Sequence, residues 1–120
     1  VGDRYELFCG VDDLAFECVA LGATGWIAGI GIAYLEENAK LWQLMMEGKW
    51  VEARKLYEWY MPLLHLDVGP KFVQKIKLAI QENGMGSEWV RMPRMPLSGA
   101  EREEVLKVIA EANANRSKLS

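Results

Sequence analysis

The sequence predicts an α/β protein built on parallel strands, and three observations carry that expectation. Phe8-Cys9-Gly10-Val11-Asp12-Asp13 is a short apolar run that ends in a glycine turn and opens an amphipathic stretch. Gly25-Trp26-Ile27-Ala28-Gly29-Ile30-Gly31 repeats that pattern. Tandem strand-to-helix junctions are the unit of parallel α/β folds, whose chemistry sits where strands end and helices begin. Everything after the second junction reads as helical, and two strands are too few for a parallel sheet. The chain is therefore expected to be the tail of a larger enzyme fold, and Val1 to be an internal position rather than a native start.

The elements follow in order. Tyr5–Cys9 is the first strand candidate. Asp12 is placed to cap a helix over Asp13–Leu21, with Leu14, Cys18 and Leu21 on its inner face. Gly22 stops that helix where a left-handed residue is favoured. Trp26–Ile30 is the second strand, apolar on both sides as expected of a strand covered on both faces. A helix over Tyr34–Glu47 turns Leu35, Leu41, Leu44 and Met45 inward and closes at Gly48. The next, Trp50–Asp67, carries a stripe of Trp50, Ala53, Leu56, Tyr57, Tyr60, Met61 and Leu64, with a bend expected at Pro62. Pro70 opens a third helix through Gln81, with Phe72, Ile76, Ala79 and Ile80 on one side. Met85–Leu97 is an extended connector. Ser98 and Glu101 form a capping box for a last helix through Ala112, burying Val105, Leu106 and Ile109. Asn113–Ser120 is expected to fray.

Composition narrows the function classes. The 120 residues, 51% of them hydrophobic, suffice for one modest core. Fourteen basic and 17 acidic residues, dispersed without runs, argue against a nucleic-acid footprint. No apolar stretch reaches the roughly 20 residues of a membrane span. No signal-peptide pattern opens the chain. Cys9 and Cys18 have no metal or redox spacing, which points to a reducing compartment, the cytoplasm. Cys9 reads as a buried structural thiol, His65 as a core or interface residue, and the tryptophans and tyrosines as packing.

Gly10-x-Asp12-Asp13 and Gly25-Trp26-Ile27-Ala28-Gly29 are followed by Gly48-Lys49-Trp50-x-x-Ala53-Arg54, Leu63-Leu64, Arg91-Met92-Pro93 and Met95-Pro96-Leu97. This ordered set resembles the C-terminal part of the dihydrodipicolinate synthase and N-acetylneuraminate lyase family. The resemblance implies the last two strand-helix units of a TIM (β/α)8 barrel in residues 1–48, and a three-helix C-terminal extension in residues 49–120. Cys9-Gly10-Val11-Asp12-Asp13, Gly22-Ala23-Thr24-Gly25-Trp26 and Met61-Pro62-Leu63-Leu64-His65-Leu66-Asp67 are similar to one branch. That branch deaminates 1-pyrroline-4-hydroxy-2-carboxylate in hydroxyproline degradation.

In that family a barrel lysine forms a Schiff base with a 2-oxo acid and a tyrosine shuttles protons. Lys40, Lys49, Lys55, Lys71, Lys75, Lys77, Lys107 and Lys118 all fall off the expected strands. The resemblance thus implies that both catalytic residues lie upstream, none in this chain, and that the chain alone is inactive. It implies substrate contacts at Gly10, Asp12, Asp13, Ile27 and Gly29. Residue by residue, other readings stay open: a tight turn at Gly10, helix capping at Asp12 and Asp13, and packing at Ile27. Gly29 stands where the lyase branch has a substrate-contacting serine, and Ile32 replaces a common asparagine. The first departure weakens the case for sugar-acid cleavage, and the second makes the mouth of the site less polar.

The resulting expectation is a Schiff-base lyase or deaminase acting on a small 2-oxo acid or cyclic imine. No metal or cofactor is implied. The implied partners are the rest of the barrel and further copies of the enzyme, as a dimer or tetramer, without nucleic acid or membrane. A dihydrodipicolinate synthase-type condensation of pyruvate with an aldehyde is the alternative. From another class, a stand-alone helical interaction module is the rival.

Overall fold

The computed structural model describes residues 2–116. Two parallel strands, β1 (Phe8–Cys9) and β2 (Gly25–Trp26), pair Phe8 with Gly25 and Cys9 with Trp26. Among the described residues five helices follow: α1 (Ala15–Ala20), α2 (Leu35–Met46), α3 (Trp50–Leu64), α4 (Phe72–Glu82) and α5 (Gly99–Asn115). Short 3-10 turns at Asp12–Leu14, Ile30–Ile32 and His65–Asp67 join them.

The helices follow the predicted periodicity closely. Leu41, Leu44 and Met45 of α2, Ala53, Leu56, Tyr57, Tyr60 and Leu64 of α3, Ile76 and Ala79 of α4, and Val105 and Ile109 of α5 are buried in one continuous core. That core runs from Ile30, Ala33 and Tyr34 to Leu97 and Ala112, so residues before and after Gly48 share it. Trp59 packs against this core and stacks on Tyr60, and Tyr34 meets both rings edge-on. Gly22 (φ +100°) and Gly48 (φ +71°) end α1 and α2 as expected. In each case a backbone bond reaches back five residues, from Ala23 to Cys18 and from Lys49 to Leu44, which only a left-handed residue permits.

Several expectations need correction. The strands are shorter than Tyr5–Cys9 and Trp26–Ile30, although Thr24 and Ile27 extend the ladder through bonds to Leu7 and Cys9. Beyond Ile27 the chain bends, because the N–H groups of Gly29 and Ile30 turn to the Asp12 carboxylate. Within this chain alone the strands leave Phe8 and Ile27 60% and 69% exposed. Leu14 and Leu21, which flank α1, face outward, Leu21 at 86% exposure. Phe16 sets the phase of that helix instead, by stacking on Tyr57 and meeting Trp50 edge-on. Leu35, Trp50 and Phe72, at helix starts, are exposed, while Leu63 and Leu78 join the core.

The helix termini differ as well. α3 continues through Pro62 and tightens into the 3-10 turn at His65. Pro70 precedes α4 by two residues rather than opening it. Ser98 holds the N-cap position of α5 but makes no side-chain cap bond. The expected partner, Glu101, is drawn away by Lys71 at 2.5 Å. α5 runs past Ala112 to Asn115, because Arg116 pairs with Glu37 and lies over the Tyr34 ring. Ser117–Ser120 lie outside the described residues.

Candidate functional site

Both strands end on the same side of the molecule, and the turns that follow them meet there. Asp12 is fully buried at this junction. Its Oδ1 accepts from Trp26 Nε1 at 3.0 Å and from Gly29 N at 3.1 Å. Its Oδ2 accepts from Gly29 N at 3.0 Å and from Ile30 N at 2.8 Å. A carboxylate with that many donors is fully engaged. Asp12 therefore caps no helix. The residue at the N-cap of its own turn is Val11, and the side chain ties the loop after β1 to the loop after β2.

Asp13 projects differently. Its side chain is 21% exposed, and Oδ2 lies 3.6 Å from His65 Nε2. The backbone carbonyl of Asp13 accepts from the Tyr57 hydroxyl at 2.6 Å, and that hydroxyl lies 3.0 Å from Glu17 Oε2. Burial and the Glu17 carboxylate push the Tyr57 phenol up, so it stays a donor. Asp13 is thereby fixed by α3 rather than by capping α1.

His65 is not a core residue. The 3-10 turn buries Leu66 and leaves the imidazole 60% exposed beside Asp13. Asp67, on the same turn, comes up against Gly29. Desolvation, then the charges of Asp12 and Asp13, push its carboxyl up to about 6. Neither residue was singled out for the site from the sequence. Their location depends on α3 folding back over the first turn, which no local pattern encodes.

Gly10 and Ile27 sit at the strand ends. A Cβ on Gly10 would meet nothing within 4 Å among the described residues, and the residue has no positive φ. The tight-turn explanation for this glycine therefore fails. Ile27 is 69% exposed, so packing within this chain does not explain it either. Cys9 is buried, its thiol donating to the Val11 carbonyl at 3.2 Å. Contact with Cys9 and burial push the neighbouring Cys18 thiol up to about 11, which leaves it protonated and unreactive. Among the described residues no lysine lies on a strand.

The dihydrodipicolinate synthetase family model matches residues 1–112. The chain belongs to that family. Among its relatives, the 4-hydroxy-tetrahydrodipicolinate synthase of Geotalea daltonii is 31% identical over 114 residues, 92% of this chain and 38% of that protein. The synthase of Thermomicrobium roseum is 28% identical, with 100% and 40% covered. The solved structure of the 4-hydroxy-tetrahydrodipicolinate synthase from Methylacidiphilum fumariolicum SolV superposes with a TM-score of 0.88 at 23% identity, covering 99% of this chain and 40% of that one. The chain thus spans about two-fifths of the length of these family members. Its fold is that of part of a dihydrodipicolinate synthase barrel. Among the described residues no helix is long and apolar enough to cross a membrane.

Proposed function

We propose that this chain supplies the last two strand-helix units and the helical extension of a cytoplasmic (β/α)8-barrel enzyme. That enzyme forms a Schiff base with a small 2-oxo acid or cyclic imine. The observation that carries the reading is the match of residues 1–112 to the family, with the exposed Gly10 standing at the end of β1 in a strand pair with open edges. In a barrel, the end where strands stop is the end where substrate binds. A glycine there lets the substrate approach the backbone. The condensing amine belongs to a lysine on an upstream strand, and the proton-shuttling tyrosine is upstream too. No metal or cofactor enters this scheme.

Within the site Gly10 leaves room for substrate, and the backbone at Ile27 and Gly29 faces its 2-oxo acid end. Asp13 accepts from a substrate hydroxyl. Asp12 positions these groups by holding the two loops together. The reaction we favour is deamination of 1-pyrroline-4-hydroxy-2-carboxylate, supported by Met61-Pro62-Leu63-Leu64-His65-Leu66-Asp67 and by the glycine at residue 29. Condensation of pyruvate with an aldehyde is the second reading, favoured by the similarity to 4-hydroxy-tetrahydrodipicolinate synthases. The upstream barrel and further copies of the enzyme are the expected partners.

Incubating the complete protein with the cyclic imine separates the two reactions. Release of ammonia together with a 2-oxo acid semialdehyde supports the deaminase. Consumption of pyruvate only when an aldehyde is present supports the synthase. Failure of borohydride to trap pyruvate on any lysine would contradict both.

A further inference from the structure

Tyr57 of α3 uses the two ends of its side chain for different purposes. The ring is packed in the core, stacked on Phe16 with centroids 5.2 Å apart, and the residue is 6% exposed. The hydroxyl leaves that apolar contact and reaches the turn after β1, where it donates to the Asp13 carbonyl at 2.6 Å. A phenylalanine would fill the same place in the core, so the hydroxyl answers to the Asp13 peptide and not to packing. It carries one proton, and the second acceptor, Glu17 Oε2 on α1, is the more distant at 3.0 Å. Asp13 meets the same part of the chain again at its carboxylate, whose Oδ2 stands 3.6 Å from His65 Nε2 in the turn that follows α3. Little else holds the residue locally. Its own 3-10 turn is three residues long, α1 behind it is six, and Leu14 between them is exposed.

We propose that Tyr57 is a positioning residue of the strand-end site. Its hydroxyl sets the Asp13 peptide, and through it the direction in which the Asp13 carboxylate meets a substrate hydroxyl. The inference rests on the site reading above, in which Asp13 accepts from that hydroxyl. Tyr57 touches no reacting atom and transfers no proton. The hold is on the backbone, so it orients the residue without occupying the carboxylate. A displacement of about 1 Å at a reacting or binding group can lower the rate on the order of 100-fold, and a turn anchored by one hydrogen bond is open to such a displacement once the bond is gone. The effect of Tyr57 is therefore confined to substrates that carry the hydroxyl.

The test uses the complete protein and Tyr57→Phe, which keeps the ring against Phe16 and removes the hydroxyl alone. For the hydroxylated cyclic imine, kcat/KM is expected to fall roughly 10-fold or more. Borohydride should still trap pyruvate, which has no hydroxyl, at the parental rate. Asp13→Ala should lower kcat/KM at least as far, and Tyr57→Phe added to it should bring no further loss, because the tyrosine acts through Asp13. Glu17→Gln should keep the parental value. Unchanged kcat/KM in Tyr57→Phe, equal losses for imine turnover and pyruvate trapping, or a matching loss in Glu17→Gln overturns the proposal. No turnover of the imine by the parent, or parental kinetics in Asp13→Ala, contradicts the site reading itself, and the proposal falls with it. Should Tyr57→Phe fail to fold, the carbon shift of the hydroxyl-bearing ring carbon of Tyr57 in the parent decides the matter. A change on binding the hydroxylated imine that pyruvate does not produce supports the proposal. The same response to both, or to neither, overturns it.

Discussion

The N–H of Gly29 is shared between both carboxylate oxygens of Asp12, at 3.1 and 3.0 Å, and this bond joins the loops that follow the two strands. It explains why β2 stops early and how a carboxylate can be fully buried. A buried carboxylate is tolerable because every donor near it is committed to it.

Asp12→Ala leaves the N–H groups of Trp26, Gly29 and Ile30 without their acceptor. Each stranded donor costs about 1–3 kcal/mol, so a loss of at least about 3 kcal/mol is expected in chemical denaturation of the complete protein. Asp12→Asn keeps one acceptor oxygen and turns an amide toward donors, and should fall between the parent and Asp12→Ala. A loss below about 1 kcal/mol for Asp12→Ala would show that the loops are joined by other means.

The pH dependence of stability follows from Asp67. Its carboxyl titrates at about 6 in the folded chain, against an ordinary value of 3.8. Between those values the folded state holds a proton that the unfolded chain releases. The stability contributed by the neutral acid is therefore complete below the ordinary value and lost as pH rises through about 6. Asp67→Asn, which has no charge to bury, should be more stable than the parent above that range, with the difference shrinking as pH falls. Denaturation curves of the two proteins at several pH values check it, and a difference independent of pH would contradict it.

Gly29→Ala and Asp67→Ala should not add. The first forces a methyl to within 2.2 Å of Asp67 Oδ1 and must displace that carboxylate. The second empties the same space. Once Asp67 is alanine, the cost of Gly29→Ala should largely vanish, giving a coupling in the range of about 0.5–3 kcal/mol for residues in contact. A double-mutant cycle by thermal or chemical denaturation measures it. Strict additivity would mean that Asp67 does not depend on the glycine.

What the sequence could and could not disclose follows from the range of the interactions. The faces of α2 to α5 were legible because a helix repeats its buried side every three or four residues, as Leu41, Leu44 and Met45 do. Gly22 and Gly48 announced the helix ends through a conformation most residues avoid. The end of β2 was not legible, because it is set by Asp12, 17 residues before Gly29. The phase of α1 was misread for a similar reason: Phe16 answers to Tyr57, 41 residues later by the numbering. Gly10, Asp12, Asp13, Ile27 and Gly29 were reached only through the family resemblance of the two junctions, since taken alone they read as turn, capping and packing residues. His65 and Asp67 were not reached, since only tertiary folding brings the turn after α3 onto Asp13 and Gly29.

The central claim is that these residues complete a barrel supplied from elsewhere, and the behaviour of the chain by itself tests it most directly. Phe8 and Ile27 are 60% and 69% exposed, and the two-stranded sheet has both edges open. Surfaces of this kind are ordinarily covered by neighbouring strands. Sedimentation velocity of the isolated 120-residue chain, followed by chemical denaturation, should show self-association or aggregation and no single cooperative transition. A monodisperse 13.6 kDa monomer that unfolds in one cooperative step would contradict the claim and favour an independent helical module.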